Sequence, residues 1–265
     1  MTELSFRKEF KFFFVENLSK RFGGVQAVDN FSMSLDSGEI VGLIGPNGAG
    51  KTTVFNLITG FDYPDTGEIY FSHQYIHQLP VHKRTLLGIS RTFQNIRLLE
   101  HLSVIENVKI AYHSKISYTI FDAVFRLPRY HKIETDISKK CLEFLEIVGL
   151  TDIADMRASA LPYGKRRKLE LARALATEAS LLLLDEPAAG LNTSETQELT
   201  NTIKFIRDEF KITILLIEHD MRMVMNLCDR IIVMNFGKII AEGTPSEIQK
   251  NPAVIEAYLG YSADE

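Results

Sequence analysis

The chain has 265 residues, 45% of them hydrophobic and 24% charged, and its formal net charge is −4 at pH 7. This length and composition allow one well-packed core with a subdomain and argue against extended disorder. The negative net charge gives no general attraction to nucleic acid, so a primary DNA- or RNA-binding role is disfavoured. The two cysteines are too few for a disulfide framework, and we expect both to be reduced.

The apolar runs of the sequence are short. The longest, 181–184 and 212–217, are far below the roughly 20 residues that a membrane-spanning helix needs, so both are predicted to be buried strands. The first ten residues are charged and contain no signal-type apolar segment. We therefore expect a cytoplasmic protein that associates with a membrane only indirectly, because no amphipathic anchor or lipidation motif is evident.

Turns alternate with short β-type runs over about the first 94 residues. The strands predicted there are 12–15, 40–44, 68–71 and 89–93, with one helix at 53–59. From Ser103 the pattern changes to helical periodicity, which begins with the capping-box pair Ser103 and Glu106. The helices predicted in this part are 118–127, 133–148 and 168–177.

Strands return after residue 179. Those predicted are 181–184, 212–217 and a hairpin of 230–234 with 238–241, and a closing helix, 253–259, follows the cap Asn251 and Pro252. The strand-rich parts therefore bracket the helical part. This order predicts a single α/β domain whose core, 1–95 and 180–265, is interrupted by a helical subdomain, 96–179.

One stretch matches G-x-x-x-x-G-K-[ST], the phosphate-binding loop of nucleotide hydrolases, between a predicted strand and a predicted helix. Glycines let the backbone curl so that N–H groups point at phosphate oxygens, and the following helix offers its positive end. Lys51 is predicted to reach the β- and γ-phosphates, and Thr52 to bind Mg²⁺. The residues predicted to bind ATP here are Gly45, Pro46, Asn47, Gly48, Ala49, Gly50, Lys51, Thr52 and Thr53.

Two carboxylates follow the apolar run 181–184. Asp185, at the predicted strand tip, is placed to hold Mg²⁺ directly or through water, and Glu186 is placed to orient and deprotonate the attacking water. A plain acidic turn would be the better interpretation without a phosphate loop in the same chain. His219 also follows a predicted strand and is a candidate γ-phosphate sensor, although a lone histidine there is more often a surface residue.

The order of these motifs resembles that of the ATP-binding subunits of ATP-binding-cassette (ABC) transporters, and the resemblance covers essentially all 265 residues. The family's order is an adenine-stacking aromatic, the phosphate loop, a glutamine loop, a signature, the paired carboxylates, a D-loop and a switch histidine. Those elements fall here on Phe22, Gly45 to Thr52, Gln94, Leu161 to Lys165, Asp185 with Glu186, Ala189 to Asn192, and His219.

The resemblance implies a P-loop NTPase (RecA-like) α/β core with an N-terminal antiparallel β subdomain and an inserted helical subdomain. It implies an ATPase that uses ATP and Mg²⁺, with Thr52, Gln94 and Asp185 placing the ion. The catalytic residues that it implies are Lys51, Gln94, Glu186 and His219. Phe22 would stack on adenine, although a core or surface phenylalanine is an equally good interpretation, and a loop glutamine such as Gln94 usually faces solvent.

The signature departs from the family's usual Leu-Ser-Gly-Gly-Gln. The hydroxyl is lost, and Pro162 has no N–H to donate, so we assign Pro162 no catalytic contact. Gly164 and the following helix N-terminus remain to face the phosphate of an opposing subunit. The signature residues expected to act in this way are Leu161, Tyr163, Gly164 and Lys165. The basic run 166–168 is predicted to be a solvated helix face, with added positive charge near the phosphate as the alternative.

Within the family, the sequence resembles the subunits that energise uptake of branched-chain amino acids. The stretches that carry this resemblance are 161–170, 185–192, 217–221 and 251–260, together with a longer helical insert at 110–135. Nothing in periodicity or spacing reveals an amino acid substrate. Urea or amide uptake, lipid or lipopolysaccharide export, and a soluble cassette ATPase without a permease remain alternatives.

The resemblance also implies partners. Two such subunits, identical or paralogous, would close head-to-tail around two ATP molecules, because in this family the signature cannot reach its own phosphate loop. Integral membrane permeases would hold the pair at the inner face of the cell membrane, and an external solute-binding protein would act indirectly. Phe121 and Phe125, at i and i+4, are predicted to be core residues, with contact to a partner as the alternative.

Overall fold

The structure is a computed structural model that describes residues 12–113, 120–125 and 127–259. Its first elements in chain order are β1 (Phe13–Phe22), β2 (Val25–Leu35), β3 (Ile40–Ile44), α1 (Lys51–Thr59), β4 (Thr66–Phe71), β5 (Gln74–Tyr75), α2 (Val81–Leu87) and β6 (Ile89–Arg91). Then follow α3 (Val104–Tyr112), α4 (Ile120–Val124), α5 (Pro128–Ile147), the 3-10 turns Thr151–Ile153 and Ala158–Ala160, α6 (Tyr163–Ala176), β7 (Leu181–Asp185) and α7 (Thr193–Phe210). The last are β8 (Thr213–Ile217), α8 (Met221–Leu227), β9 (Arg230–Asn235), β10 (Lys238–Gly243), α9 (Pro245–Ile248) and α10 (Pro252–Leu259).

The chain divides into two compact units. The first consists of 1–91, 180–186 and 203–265, and the second of 92–179 and 187–202. Both sheets belong to the first unit, and the second is mainly helical. The second unit includes 187–202, which the sequence prediction assigned to the core.

The larger sheet of the first unit has six strands in the order β10-β9-β3-β8-β7-β6. The pairs from β9 to β6 are parallel, and β10 is antiparallel to β9. Strands β3, β7 and β8 are buried along their whole length, which explains why each reads as an almost continuous apolar run. In their register both Leu43 and Asp185 pair with Ile217, so these three strands end at the same edge of the sheet.

The smaller sheet is antiparallel, in the order β2-β1-β4-β5. One apolar cluster joins it to helix α1 and to the larger sheet, with members such as Phe31, Phe55 and Leu183. Strand β2 was not predicted from the sequence, because its buried and exposed residues alternate irregularly and its register against β1 shifts. This sheet and the parallel core together give the predicted α/β architecture.

The second unit begins its first long helix with the predicted capping box. The Ser103 N–H donates to Glu106 Oε2 at 2.7 Å, and the Glu106 N–H donates back to Ser103 Oγ at 3.3 Å. Helix α5 begins five residues before its predicted start, because Pro128 occupies the first turn, where its fixed φ suits a helix. The prediction that Phe121 and Phe125 are core residues is wrong, since their side chains are 73% and 68% exposed.

Cys141 and Cys228 are both free and buried, as expected for reduced structural cysteines. Within the described residues, the structure contains no helix that is both long and apolar enough to cross a bilayer.

Candidate functional site

The phosphate loop leaves the end of β3 in a conformation that only glycine tolerates. Gly45, Gly48 and Gly50 have φ of 151°, 77° and 102°. A Cβ atom at Gly45 would lie 2.1 Å from the Met234 carbonyl oxygen, and one at Gly50 would lie 2.3 Å from the Ala27 carbonyl oxygen. Because both neighbours are backbone atoms, a side chain at either glycine would displace a strand.

Lys51 opens helix α1 and lies against the loop. Its Nζ donates to the carbonyl oxygens of Gly45 at 2.7 Å and of Pro46 at 2.9 Å. Burial lowers the pKa of Lys51, and the nearby carboxylates of Glu186 and Asp185 oppose that shift. The ammonium is therefore held over the loop by carbonyl groups, close to two negative charges.

The remaining predicted loop residues vary in exposure. Pro46 and Ala49 are buried, Asn47 and Gly48 are exposed, and Thr52 and Thr53 lie on the first turn of α1, with Thr52 exposed. Gly50 is the N-cap of α1 and has no side chain to accept a hydrogen bond. The first backbone amides of α1 therefore have no side-chain cap. Free amides at a helix N-terminus form a binding site for phosphate.

Asp185, the last residue of β7, forms a buried ion pair with Arg91 of β6 at 2.7 Å. Arg91 also donates to Asn56 Oδ1 at 2.8 Å and lies 5.5 Å from the centre of the Phe55 ring. Arg91 was not predicted as a site residue, although a charged residue in the middle of the predicted strand 89–93 was a signal that could have identified it. The pair holds the Asp185 carboxylate at the edge of the sheet.

Glu186 lies next to His219. Its Oε1 is 2.8 Å from His219 Nε2, and its N–H donates to the Ile217 carbonyl oxygen at 2.9 Å. Glu186 has a positive φ of 49°, an uncommon conformation for a residue with a side chain and one that recurs at functional sites. The buried Glu218 carboxylate accepts from the His219 N–H at 2.9 Å, which fixes the backbone that carries the imidazole.

The first unit thus brings together four of the predicted residues, Lys51, Asp185, Glu186 and His219. Phe22 lies at the end of β1 with 46% of its side chain exposed, and Lys20 Nζ is 5.4 Å from its ring centre. The Phe22 side chain is therefore partly open to solvent, and adenine stacking stays a prediction.

The predicted Gln94 and the signature belong to the second unit. Gln94 is exposed, and its carbonyl oxygen accepts from Arg167 Nη2 at 2.7 Å. Arg167 also pairs with Glu170 at 3.2 Å, and Glu170 accepts from the Phe93 N–H at 3.2 Å. Burial raises the pKa of Glu170, while the Phe93 N–H and Arg167 act against that shift. Through Arg167 and Glu170, helix α6 thus holds the backbone of Phe93 and Gln94 in the glutamine loop by hydrogen bonds.

The prediction that the whole basic run after the signature is solvated is wrong for Arg167. Its side chain is buried, whereas Arg166 and Lys168 are partly exposed. The physical reason is the buried partner Glu170 one helical turn away, together with the carbonyl groups that Arg167 binds.

The signature residues 161–165 include the N-cap and the first turn of α6. Leu161 is buried, Pro162 precedes the helix, Lys165 is exposed, and the Tyr163 hydroxyl accepts from Arg167 Nη2 at 2.9 Å. A Cβ atom at Gly164 would lie 2.6 Å from Glu195 Oε1, so a larger residue there would require the Glu195 side chain to shift.

Comparisons with known proteins identify the family of the chain. A model of the ABC transporter family matches residues 28–189, and a model of the branched-chain amino acid ATP-binding cassette transporter family matches residues 238–264. The chain is 46% identical over 246 residues to the high-affinity branched-chain amino acid transport ATP-binding protein LivG of Salmonella typhimurium (strain LT2). The match covers 93% of this chain and 96% of that relative.

Solved structures show the same fold. A nucleotide-free ATP-binding cassette from an ABC transporter is 31% identical, with a TM-score of 0.81, over 94% of this chain and 98% of that one. A dimeric cassette in a post-hydrolysis state bound to ADP and Pi is 24% identical, with a TM-score of 0.74, over 88% and 98%, and shows the fold alone.

The predicted fold class and ATPase activity are thereby confirmed. Since the family model matches more than half of the chain and the LivG match extends over nearly all of it, the chain belongs to the ABC transporter family of ATP-binding cassettes.

Proposed function

We propose that this chain is the ATP-hydrolysing subunit of an importer for branched-chain amino acids. The observation that carries the proposal is the 46% identity to LivG along 93% of the chain. The separate match of residues 238–264 to a branched-chain amino acid cassette family supports the same substrate class from a different part of the sequence.

The first unit supplies the groups for ATP hydrolysis. The loop amides and the N-terminus of α1 bind the phosphates, and Lys51 adds a positive charge toward the β- and γ-phosphates. Glu186 acts as the general base that takes a proton from the attacking water, and His219 steadies the γ-phosphate. The contact between Glu186 Oε1 and His219 Nε2 supports a shared task for these two side chains.

The oxygen ligands available in the first unit fit Mg²⁺. Thr52 offers a hydroxyl and Asp185 a carboxylate, and Mg²⁺ typically takes one or two protein oxygens together with phosphate oxygens and water. Gln94, from the second unit, is proposed as a further ligand. When bound, the ion would neutralise charge on the phosphate oxygens.

ABC cassettes work as dimers with membrane permeases, and we propose the same assembly here. The signature residues Leu161, Tyr163, Gly164 and Lys165 would face the ATP of a second cassette, either a copy or a paralogue. The exposed Phe121 and Phe125 provide an apolar surface on the second unit for a permease. The chain would then lie at the inner face of the membrane, with a solute-binding protein outside.

A glutamine at position 186 tests the hydrolytic mechanism. Glu186→Gln should retain ATP binding and lose at least about a hundredfold in turnover, because a general base contributes roughly 10²–10⁴-fold. Glu68→Gln is the matched control, since Glu68 is an exposed residue of β4. The measurements are ATP affinity and steady-state phosphate release. Normal turnover by the Glu186 variant would contradict the proposed base.

Purification of the tagged chain from native membranes in mild detergent tests the assembly. We expect two polytopic permeases and a second cassette subunit to be recovered with it. Recovery of the chain alone would contradict the importer and favour a cassette ATPase without a permease.

A further inference from the structure

Arg91 lies on β6 and hydrogen-bonds to two other elements of the first unit. Its Nη2 donates to Asp185 Oδ2 of β7 at 2.7 Å, and its Nη1 donates to Asn56 Oδ1 of α1 at 2.8 Å. The guanidinium carbon also lies 5.5 Å from the centre of the Phe55 ring of α1. Two nitrogens of one planar group therefore join the helix that follows the phosphate loop to the tip of β7.

The same two elements carry the side chains proposed to bind Mg²⁺ in the first unit. Thr52 and Asn56 are four residues apart on α1 and so lie on one face of that helix. Asp185 is the last residue of β7. A carboxylate accepts at about four lone-pair sites, so Asp185 has the capacity to bind Arg91 and an ion together. One contact of Arg91 thus lies one helical turn from Thr52, and its other contact lies on the Asp185 carboxylate.

The partners of Arg91 are themselves fixed. Asn56 Nδ2 donates to Asp62 Oδ2 at 3.0 Å, which orients the amide so that its oxygen faces Arg91. The side chains of Arg91 and Asp185 are both 6% exposed, so water screens their ion pair only weakly. Groups that hydrogen-bond to a metal-binding carboxylate orient it, and their loss typically lowers metal affinity about 10- to 100-fold.

We propose that Arg91 is a positioning residue for Mg²⁺, whose guanidinium sets the separation between Thr52 on α1 and Asp185 on β7. This inference rests on the proposed role of these two residues as ligands of the ion. Arg91 acts through them and not on the nucleotide. Loss of its bridging contacts should therefore weaken the binding of ATP with Mg²⁺ and leave the binding of ATP alone nearly unchanged.

The test removes the contact with α1 and keeps the buried ion pair. Asn56→Leu preserves the size of the side chain but removes the acceptor for Arg91, whereas Arg91→Met would leave a buried carboxylate without its cation. Asp62→Ala is the matched control, because it removes the other partner of Asn56 and leaves the contact with Arg91 intact. The affinity for the slowly hydrolysed ATP analogue AMP-PNP is measured for each protein with excess Mg²⁺ and with EDTA.

The ratio of the two affinities isolates the effect of the ion and does not depend on activity. We expect Mg²⁺ to strengthen binding equally in the parent and the Asp62 variant, and about three- to tenfold less in Asn56→Leu. The affinity in EDTA should stay within about twofold of the parent, because the loop amides that bind phosphate are unchanged. Arg91→Lys keeps the positive charge but presents one nitrogen in place of two, so it should show the same reduced effect of Mg²⁺.

The outcomes separate this inference from the proposed function. An effect of Mg²⁺ in both Asn56→Leu and Arg91→Lys equal to that in the parent would overturn the inference alone. So would equal weakening with Mg²⁺ and with EDTA, which indicates a general structural loss, or a larger effect of Mg²⁺, which indicates that Arg91 competes with the ion. A parent that binds equally well under both conditions would also overturn the inference, whereas a parent that binds under neither would overturn the proposed function.

Discussion

Arg91 and Asp185 show how much a single buried charge at the site depends on its partner. Both side chains are 6% exposed, and their charged groups are 2.7 Å apart. The sequence pattern identified Asp185, because an acidic residue at the end of an apolar run has a recognisable form. It did not identify the partner, since the pairing of β6 with β7 brings together residues 94 positions apart.

Removal of the cation should destabilise the fold. Arg91→Met leaves the Asp185 carboxylate buried without its ion-pair partner, so we expect the free energy of unfolding to fall by about 3–5 kcal/mol, measured by urea denaturation without nucleotide. Lys140→Met breaks the exposed pair with Glu143 and should cost less than about 1 kcal/mol. Equal effects of the two variants would mean that the buried pair is not a stabilising feature of this edge.

At the scale of elements, the buried parallel strands and the capped helices were predictable, whereas two long elements were missed. Strands β3, β7 and β8 are dense apolar runs, and their ends place the phosphate loop, Asp185 and His219 at one edge. Helix α7 had a usable signal in its buried residues Leu199, Ile203 and Ile206, spaced at helical intervals, but its polar composition concealed it. Strand β2 had no such periodic signal, because bulges interrupt its alternation of buried and exposed residues.

Close packing of β3 against α8 gives a test at this scale. A Cβ atom at Gly42 would lie 2.9 Å from Cys228 Sγ and 3.4 Å from Val224 Cγ1. Gly42→Ala should therefore lower the free energy of unfolding by about 1–3 kcal/mol through overpacking.

The companion variant Cys228→Ala makes this prediction sharper. Combined with Gly42→Ala, it removes the sulfur that the new methyl group meets, so the double variant should be more stable than the sum of the single effects predicts. Strict additivity in thermal or urea unfolding would show that the contact with Cys228 does not limit this position.

At the scale of the whole molecule, each compact unit contains one buried thiol. Cys141 lies in the second unit and Cys228 in the first. Burial raises the pKa of Cys141 to about 11 and that of Cys228 to about 12. The thiolate is the reactive form, so each cysteine reports on the opening of its own unit.

Iodoacetamide labelling tests this description. At pH 8 we expect native Cys141 and Cys228 to react at less than about a hundredth of the rate of the unfolded chain, in which a thiol of pKa near 8.5 is about one-quarter ionised. Mass spectrometry of each cysteine peptide against time supplies the two rates, and denaturant should release both. Fast labelling of either thiol in the native chain would contradict the packing of its unit.

The central claim is that ATP hydrolysis by this chain energises uptake of branched-chain amino acids. The most direct measurement is uptake of radiolabelled leucine by cells that express the permeases with either the parent chain or its Glu186→Gln variant. We predict uptake with the parent that excess isoleucine and valine suppress and urea does not, and loss of that uptake with the variant at equal permease levels. Equal leucine uptake by both, or uptake of urea in place of leucine, would contradict the account.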